Sequence, residues 1–349
     1  MASLQNNIKV VVAKLLKSLN DRNRDVVSRR FGLKSGQKET LESIGQEYGI
    51  TRERVRQIEA ASIKQIKDQL RSGLYASVEP YINLAGSILE EHGGVMTEKE
   101  LFNKFSGTSE DTAVNGSLVF FLNLQSSFAR VSEDDELNTF WALSEQHNTN
   151  CRKAMNSLTE ALSKKGIVSE SDMVDFYNKN VAAKDTSPKF VASIISISKK
   201  IGRNAFGQIG LSSWPEIKPR GVKDRAYLVL KRDNKPRHFR EIAELINSQG
   251  SWGKVANVQT VHNELIKDGR FVLVGRGLYA LKEWGFKAGT VKDVVKDIIK
   301  SSDKALGRDQ IIKQVLSHRM VKANTIALSL QDRKHFIRNN DGTYTLKKA

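Results

Sequence analysis

The segment from residue 40 to residue 70 constrains the fold most strongly, because its apolar residues keep a helical period on both sides of one glycine. Leu41, Ile44 and Tyr48 recur at the spacing of a single helix face. Gly49 then permits a tight turn with a positive φ. The apolar face of the helix that follows comprises Val55, Ile58, Ala61 or Ser62, Ile66 and Leu70. Two helices joined in this way form a helix-turn-helix.

Polar residues complete this pattern at the two helix starts. Thr40 and Thr51 stand where N-caps belong. The exposed first turns of the second helix carry the side chains that read bases in a major groove, namely Arg52, Glu53, Arg54, Arg56 and Gln57. Charged residues on an exposed helix turn usually serve only solvation. Here they lie at the N-terminal end of the second helix of a helix-turn-helix, where base contacts are made, so we interpret them as DNA-reading residues.

The charge of the whole chain agrees with a polyanionic partner. The 349 residues carry a formal charge of +17 with a pI near 9.8, which suits nucleic acid or an acidic membrane surface. No apolar stretch is long enough to span a bilayer, and residues 1–20 predict an amphipathic helix rather than a signal peptide. Cys151 is the single cysteine, so an internal disulfide is impossible and a reducing compartment is expected. We therefore expect a cytoplasmic, nucleoid-associated protein that does not act at a membrane.

Charge also divides the chain into five segments. Residues 1–75 hold 15 basic and 8 acidic residues, whereas residues 76–147 hold 3 basic and 12 acidic ones. The segments 148–215, 216–285 and 286–349 are basic again, at +5, +6 and +8. We predict that these five segments are five domains, and that the acidic one touches protein rather than phosphates.

The four segments after residue 75 share two landmarks, which indicates an internal repeat. Leu101, Met173, Ile242 and Ile311 close similar short runs, 72, 69 and 69 residues apart. A second landmark ends each unit, and its leucines are 68, 70 and 65 residues apart: Leu143, Leu211, Leu281 and Leu346. In the first two runs, Thr97 and Ser169 are expected to be helix N-caps.

The third unit shows the predicted architecture most clearly. Helices are expected at residues 224–231, 239–247 and 258–268, followed by a hairpin of residues 271–274 and 278–281 around Gly275-Arg276-Gly277. Three helices and a hairpin describe a winged helix. The fold class we predict is mainly α, with an N-terminal helix-turn-helix domain followed by tandem winged-helix modules with small β-hairpins.

Residues 8–70 resemble region 4 of the sigma-70 class of RNA polymerase sigma factors. The resemblance rests on Leu19 to Leu33, on Thr40-Leu-Glu-Ser-Ile-Gly45 and on Ile50-Thr-Arg-Glu-Arg-Val-Arg-Gln-Ile-Glu59. In that family this helix reads the −35 promoter element. The resemblance implies base contacts for Arg52, Glu53, Arg56 and Gln57. It implies phosphate contacts for Thr40, Thr51 and Arg54, and docking on the flap of the polymerase β subunit for Arg29, Arg30 and Phe31.

The sequence also departs from that family. It has no counterpart of region 2, the aromatic-rich helical segment that melts the −10 element and grips the polymerase clamp. The seven tyrosines and four tryptophans are scattered, mainly among the later segments. The departure argues against a stand-alone initiating sigma factor.

The third unit resembles a second family, the HARE-type winged helix of the delta subunit of some bacterial RNA polymerases and of chromatin and restriction proteins. Residues 225–230, 235–243 and 269–281 carry this resemblance, which implies association with DNA or polymerase. Its third helix offers Asn257 and the expected base-edge residues Gln259, Thr260, His262 and Asn263. Its wing offers Arg270 and Arg276, near Lys267, for phosphates.

The sequence gives no sign of catalysis, so we expect neither enzymatic activity nor a cofactor or metal ion. The six histidines lack metal-ligand spacing. Gly275-Arg276-Gly277 lacks the third glycine and the following helix of a dinucleotide fingerprint. No set of nucleophile, base and oxyanion donor assembles, and no small-molecule substrate is expected.

The function we predict is sequence-specific binding of double-stranded DNA in transcription regulation, with contact to the RNA polymerase core as an open question. Two alternatives remain. One is a polymerase accessory subunit, delta-like or a partial sigma factor, whose DNA contact is secondary. The other is a nucleoid or defence-associated DNA binder without promoter specificity.

Overall fold

Four helices form the N-terminal part of the chain in a computed structural model, which describes residues 2–182, 186–249, 252–302 and 304–347. They are α1 (Ala2–Leu16), α2 (Asp21–Phe31), α3 (Leu41–Tyr48) and α4 (Arg52–Gln69). Asn20 caps α2 by accepting a hydrogen bond from the Asn23 amide at 2.8 Å, and Gly32 ends α2 in the left-handed region at φ 66°. Of the amphipathic helix predicted for residues 1–20, the structure confirms the part from Ala2 to Leu16.

A single π-helical turn, Leu70–Leu74, connects α4 to the next helix. Gly73 lies in this turn at φ 130°, a conformation that a side chain would strain. The chain leaves the helix-turn-helix through this turn into α5, the first helix of a repeated unit.

The remainder of the chain repeats one order of elements four times: helix, short strand, two helices and two strands. Repeat one contains α5 (Tyr75–Glu91), β1 (Val95–Thr97), α6 (Glu98–Ser106), α7 (Ala113–Leu124), β2 (Ala129–Val131) and β3 (Phe140–Ala142). Repeat two contains α8 (Glu145–Lys165), β4 (Val168–Ser169), α9 (Met173–Asn180), α10 (Pro188–Ile197), β5 (Ile201–Arg203) and β6 (Gln208–Leu211).

The same order follows twice more. Repeat three contains α11 (Val222–Asp233), β7 (Arg237–His238), α12 (Phe239–Ser248), α13 (Val258–Lys267), β8 (Phe271–Gly275) and β9 (Leu278–Leu281). Repeat four contains α14 (Val291–Lys300), β10 (Leu306–Gly307), α15 (Arg308–His318), α16 (Ala323–Leu330), β11 (Phe336–Arg338) and β12 (Thr343–Leu346). The predicted fold class, mainly α with winged-helix modules, is confirmed.

Each repeat closes with a three-stranded antiparallel sheet in which the last strand is central. The strand orders are β1-β3-β2, β4-β6-β5, β7-β9-β8 and β10-β12-β11. The first landmark of the sequence repeat falls at the start of the second helix, where Leu101, Met173, Ile242 and Ile311 are all buried. The second landmark falls on the central strand or directly after it.

The predicted cap at Ser169 is wrong, although Thr97 does cap α6. Helix α9 begins only at Met173, after Asp172, whose side chain makes no cap hydrogen bond. Ser169 instead accepts a hydrogen bond from the Asp172 amide at 3.3 Å, within a turn that precedes the helix. Residues 170–172 form this turn, so α9 begins four residues after the serine rather than directly after it.

The chain divides into two compact units, residues 1–203 with 207–213, and residues 204–206 with 214–349. In the first unit, one apolar core joins the N-terminal helices to repeat one, and a second core joins the sheet of repeat one to repeat two. In the second unit, repeats three and four each have a core of their own. None of the described helices is long and apolar enough to cross a membrane.

Candidate nucleic-acid interface

The turn between α3 and α4 is fixed by glycines and by one small core. Gly49 ends α3 in the left-handed region at φ 63°. A Cβ on Gly45 would lie 2.7 Å from the carbonyl oxygen of Ile50, so only glycine lets the turn approach α3 this closely. Val26, Ile44, Val55 and Ile58 form the core that holds α2, α3 and α4 together. Of the two residues predicted for the inner face of α4, Ser62 is buried and Ala61 is exposed.

The outer face of α4 presents five side chains, and each of them is exposed: Arg52, Glu53, Arg54, Arg56 and Gln57. Arg56 donates two hydrogen bonds to Glu53, at 2.8 and 2.7 Å. Arg54 donates to the Gln57 amide oxygen at 3.1 Å. The hydrogen bonds from Arg56 lower the pKa of Glu53, which keeps that carboxylate charged. Exposed pairs of this kind contribute little to stability, so they order the side chains without preventing new partners.

The two helix N-termini of the motif are also exposed. Thr40 accepts a hydrogen bond from the Ser43 amide at 3.1 Å, and Thr51 accepts one from the Arg54 amide at 3.2 Å. Both predicted caps are therefore confirmed as caps. The remaining first-turn amides and the helix dipole favour a negative charge at such a position. The structure places Arg54 one turn from Thr51, where its cation adds to this preference.

Further cations continue the surface along α4. Arg56, Lys64 and Lys67 line a groove of about 580 Å³ that also includes Arg30 and Phe31. No role was predicted from sequence for Lys64 or Lys67. The sequence could have indicated both lysines, because residues 56, 60, 64 and 67 follow the period of one helix face.

The residues predicted to dock on the polymerase flap have partners within the chain. Arg29 pairs with Glu39 at 2.7 Å and also with Glu47, and these hydrogen bonds raise its pKa. Arg30 pairs with Glu59 at 3.0 Å. Phe31 packs edge-on against Phe120 of α7, with 5.3 Å between ring centroids. All three are half-buried.

The third helix of repeat three, α13, carries the second set of predicted DNA contacts. Asn257 caps it by accepting a hydrogen bond from the Gln259 amide at 2.8 Å. Gln259 and Asn263 are exposed and hydrogen-bonded to each other at 3.2 Å, and Thr260 is exposed beside them. His262 is half-buried, because its ring stacks on Phe239 with 4.3 Å between centroids. Three of the four predicted base-edge residues therefore share an accessible face.

The two wing arginines differ in their surroundings. Arg270 is held by Asp268 at 2.7 Å and by Asp224 at 2.8 Å, and the hydrogen bonds to these carboxylates raise its pKa. Arg276 lies between β8 and β9, is exposed, and has no ion-pair partner among the residues that the structure describes. Arg276 is thus the wing cation whose charge is available to a ligand.

The described residues offer neither a metal-binding cluster nor a reactive thiol. Within the described ranges, no three His, Cys, Asp or Glu side chains converge to hold a metal ion. Burial raises the pKa of the Cys151 thiol to about 12, which keeps it protonated and unreactive at neutral pH.

Comparison with known proteins identifies a family that the N-terminal segment matches. Residues 15–68 match the family "Sigma-70, region 4", which confirms for these residues the resemblance predicted over residues 8–70. The chain is 41% identical over 70 residues to the RNA polymerase sigma factor SigA of Nostoc sp.. That alignment covers 20% of this chain and 18% of SigA, so the chain spans less than a fifth of the relative that it matches. The matched segment contains α2, α3 and nearly all of α4.

Proposed function

We propose that this protein is a sequence-specific, double-stranded DNA-binding regulator of transcription that reads a promoter-type element with α4. The observation that carries the proposal is the exposed outer face of α4, in a segment that matches sigma-70 region 4. Such a protein has no enzymatic activity. It acts in the cytoplasm, where the DNA of a bacterial cell lies.

The chemistry of α4 accounts for sequence preference. An α-helix fits the major groove of B-form DNA, and its first turns meet the base edges. Arg52 and Arg56 suit the two acceptors of guanine, Glu53 suits the amino group of cytosine, and Gln57 suits adenine. Phosphate contacts from Thr40, Thr51 and Arg54 would fix the register without reading the sequence.

The repeats would add DNA affinity to the base contacts made by α4. We propose that repeat three is a HARE-type winged helix, which meets base edges with α13 and a phosphate with Arg276. Several modest contacts on one chain raise the effective concentration of each for the same DNA. Of the five predicted domains, 1–75, 76–147, 148–215, 216–285 and 286–349, the four basic ones would be the units of this arrangement.

The acidic segment 76–147 would have a different role, since carboxylates repel phosphates. Its acids meet basic residues of repeat two within the first unit. Glu133 pairs with Lys199 at 2.6 Å and Glu136 pairs with Lys200 at 2.5 Å, while Glu91 pairs with Lys189. These pairs support the proposal that repeat one serves protein contacts, beginning with its own neighbour.

Association with RNA polymerase is the second candidate, favoured by the matched segment of a sigma factor. Docking on the β flap through Arg29, Arg30 and Phe31 would require their present contacts with Glu39, Glu59 and Phe120 to be exchanged for new ones. We therefore rank DNA reading first. Co-purification with core polymerase that survives nuclease treatment would reverse this order.

A selection from random duplexes tests the proposed function. The full-length protein should enrich one sequence motif, because α4 offers side chains suited to the edges of guanine, cytosine and adenine. Enrichment of no motif, with tight binding to every duplex, would instead identify a nucleoid or defence-associated binder without promoter specificity.

A further inference from the structure

Repeat four contains a basic cleft that is lined by no residue of α4, α13 or the wing of repeat three. It opens between the start of α15, the end of α16 and the β11–β12 hairpin, and has a volume of about 860 Å³. Arg308, Arg333, Arg338 and Lys347 line it, and no Asp or Glu is among its lining residues. The cleft is therefore a concentrated positive charge on a concave surface.

The four cations of this cleft are all exposed, and none forms an ion pair within the part of the chain that the structure describes. Two nearby carboxylates have other partners. Asp332 accepts hydrogen bonds from Lys292 at 2.5 Å and from His335 at 3.1 Å. Asp341 accepts them from the Thr343 amide and hydroxyl, at 3.0 and 2.7 Å. The positive charge of the cleft is thus available to bind an external anion.

The side chains favour phosphate as that anion. Three of the four cations are arginines, whose planar guanidinium groups bind phosphate oxygens in pairs. The cleft is concave, so a flat bilayer surface does not reach all four cations at once. Its aromatic residues offer no open ring for base stacking, because Phe336 is buried and Tyr344 is half-buried. A duplex backbone fits these features better than a membrane or a single strand.

Helix α16 indicates that the contact would be independent of sequence. The helix contains no charged residue, and its exposed positions include Ala323, Asn324 and Leu328. Leu328 is 65% exposed, which is unusual for a leucine facing the base edges of a groove. Helix α16 thus offers no charged side chain to a groove, whereas the cleft, where phosphates would bind, holds four cations.

We propose that the cleft of repeat four binds the phosphate backbone of double-stranded DNA, as a second and sequence-independent anchor. The identity of the partner rests on the proposed function, whereas the anion specificity rests on the cleft alone. The anchor raises the affinity of the chain for every duplex equally, and α4 supplies the preference among duplexes.

The test uses the full-length protein with Arg333→Ala and Arg338→Ala together. Their matched control is Lys300→Ala with Lys313→Ala, which removes the same charge from exposed positions of the same repeat outside the cleft. Fluorescence anisotropy gives the Kd for a labelled duplex over a range of salt concentrations. The cleft variant should lower the slope of log Kd against log salt by about 2, since each lost phosphate contact removes about 0.9. The control should lower it less.

The same experiment separates this proposal from the proposed function. The cleft variant should weaken the selected duplex and a scrambled one by the same factor, and Arg333→Lys with Arg338→Lys should restore the slope. An unchanged slope in a cleft variant with an unchanged melting temperature would overturn the anchor, even if the selected motif remained. A lower slope without any selected motif would support the anchor and refute the reading by α4. A larger loss on single-stranded DNA or on anionic vesicles than on duplex would also overturn the proposal.

Discussion

Gln57 is the residue of α4 whose loss should change sequence preference without changing electrostatics, because an amide reads adenine but carries no charge. We expect Gln57→Ala to relax the preference at one base pair of the selected motif, at a cost of about 1–3 kcal/mol in binding free energy on the preferred base. The slope of log Kd against log salt should stay the same. Competition among duplexes that differ at that position measures both quantities.

Gln146→Ala is the matched control for this variant. Gln146 is also an exposed glutamine on a helix, but it lies on α8, away from the helix-turn-helix. The control should retain the preference at every position. A motif that is identical for Gln57→Ala and for the unaltered protein would show that α4 contacts DNA without reading this base.

Glu98 is the buried carboxylate that ties the loop before α3 to the sheet of repeat one. It accepts hydrogen bonds from Arg130 at 2.7 and 3.0 Å, from Lys38 at 3.2 Å and from the Trp141 indole at 3.0 Å. Burial raises the pKa of Glu98, but Arg130 and Lys38 outweigh burial and hold it below the usual value. Its contribution to stability is therefore complete at neutral pH and is lost as the pH falls through the acidic range.

Glu98→Gln should lower the free energy of unfolding of the first unit by about 1–3 kcal/mol at neutral pH, because it leaves buried donors poorly satisfied. The loss should shrink in acid, where the native carboxylate is protonated as well. Urea unfolding at several pH values measures this difference. Glu110→Gln, at an exposed acid of the same repeat, should have little effect, and an equal loss in both variants would argue against the role of the buried network.

In the wing of repeat three, Arg270 has a structural role and Arg276 is available to bind DNA. Arg270→Ala should destabilise the second unit, because it leaves Asp224 and Asp268 without their shared cation. Arg276→Ala should leave stability unchanged and reduce the salt slope of DNA binding by about 1. Thermal melting and anisotropy titrations distinguish the two. The reverse pattern would contradict this assignment.

The helices of the repeats could be predicted from sequence because their apolar period is long and their caps are local. In repeat three the predicted helices and hairpin match α11, α12, α13, β8 and β9 closely. The strand that precedes the second helix of each repeat was not predicted. It is only two or three residues long, and its partner is the last strand of the same repeat, far along the chain. No local pattern carries such a pairing.

The helix-turn-helix side of the site could also be predicted, since exposure along α4 follows directly from its inner face. The surroundings of Arg270, His262 and Phe31 could not. Each depends on a residue distant in sequence, respectively Asp224, Phe239 and Phe120. Sequence gives the chemical type of a side chain, whereas tertiary packing decides whether that chemistry is already satisfied.

In the whole molecule, repeat one covers the apolar face of the N-terminal helices. Helix α7 packs against α1, α2, α4 and α5, and is buried along most of its length. Phe31 and Leu70 share its core with Leu118, Phe120 and Phe121. The four N-terminal helices alone would expose this apolar face to water.

We therefore expect a fragment of residues 1–75 to melt at a lower temperature than a fragment of residues 1–213, and to bind a dye specific for exposed apolar surface. Circular dichroism and dye fluorescence provide the two measurements. If both fragments melted cooperatively at the same temperature, the first 75 residues would be an independent domain, and the shared core would add nothing to their stability.

One selection from random duplexes, run in parallel on two full-length proteins, tests most directly whether α4 reads DNA sequence. One is unaltered, and the other carries alanine at Arg52, Glu53, Arg56 and Gln57, all exposed positions whose replacement leaves the core intact. The unaltered protein should enrich one motif, and the variant should still bind duplexes but enrich none. The same motif from both proteins, or no motif from the unaltered one, would contradict the claim that α4 reads DNA sequence.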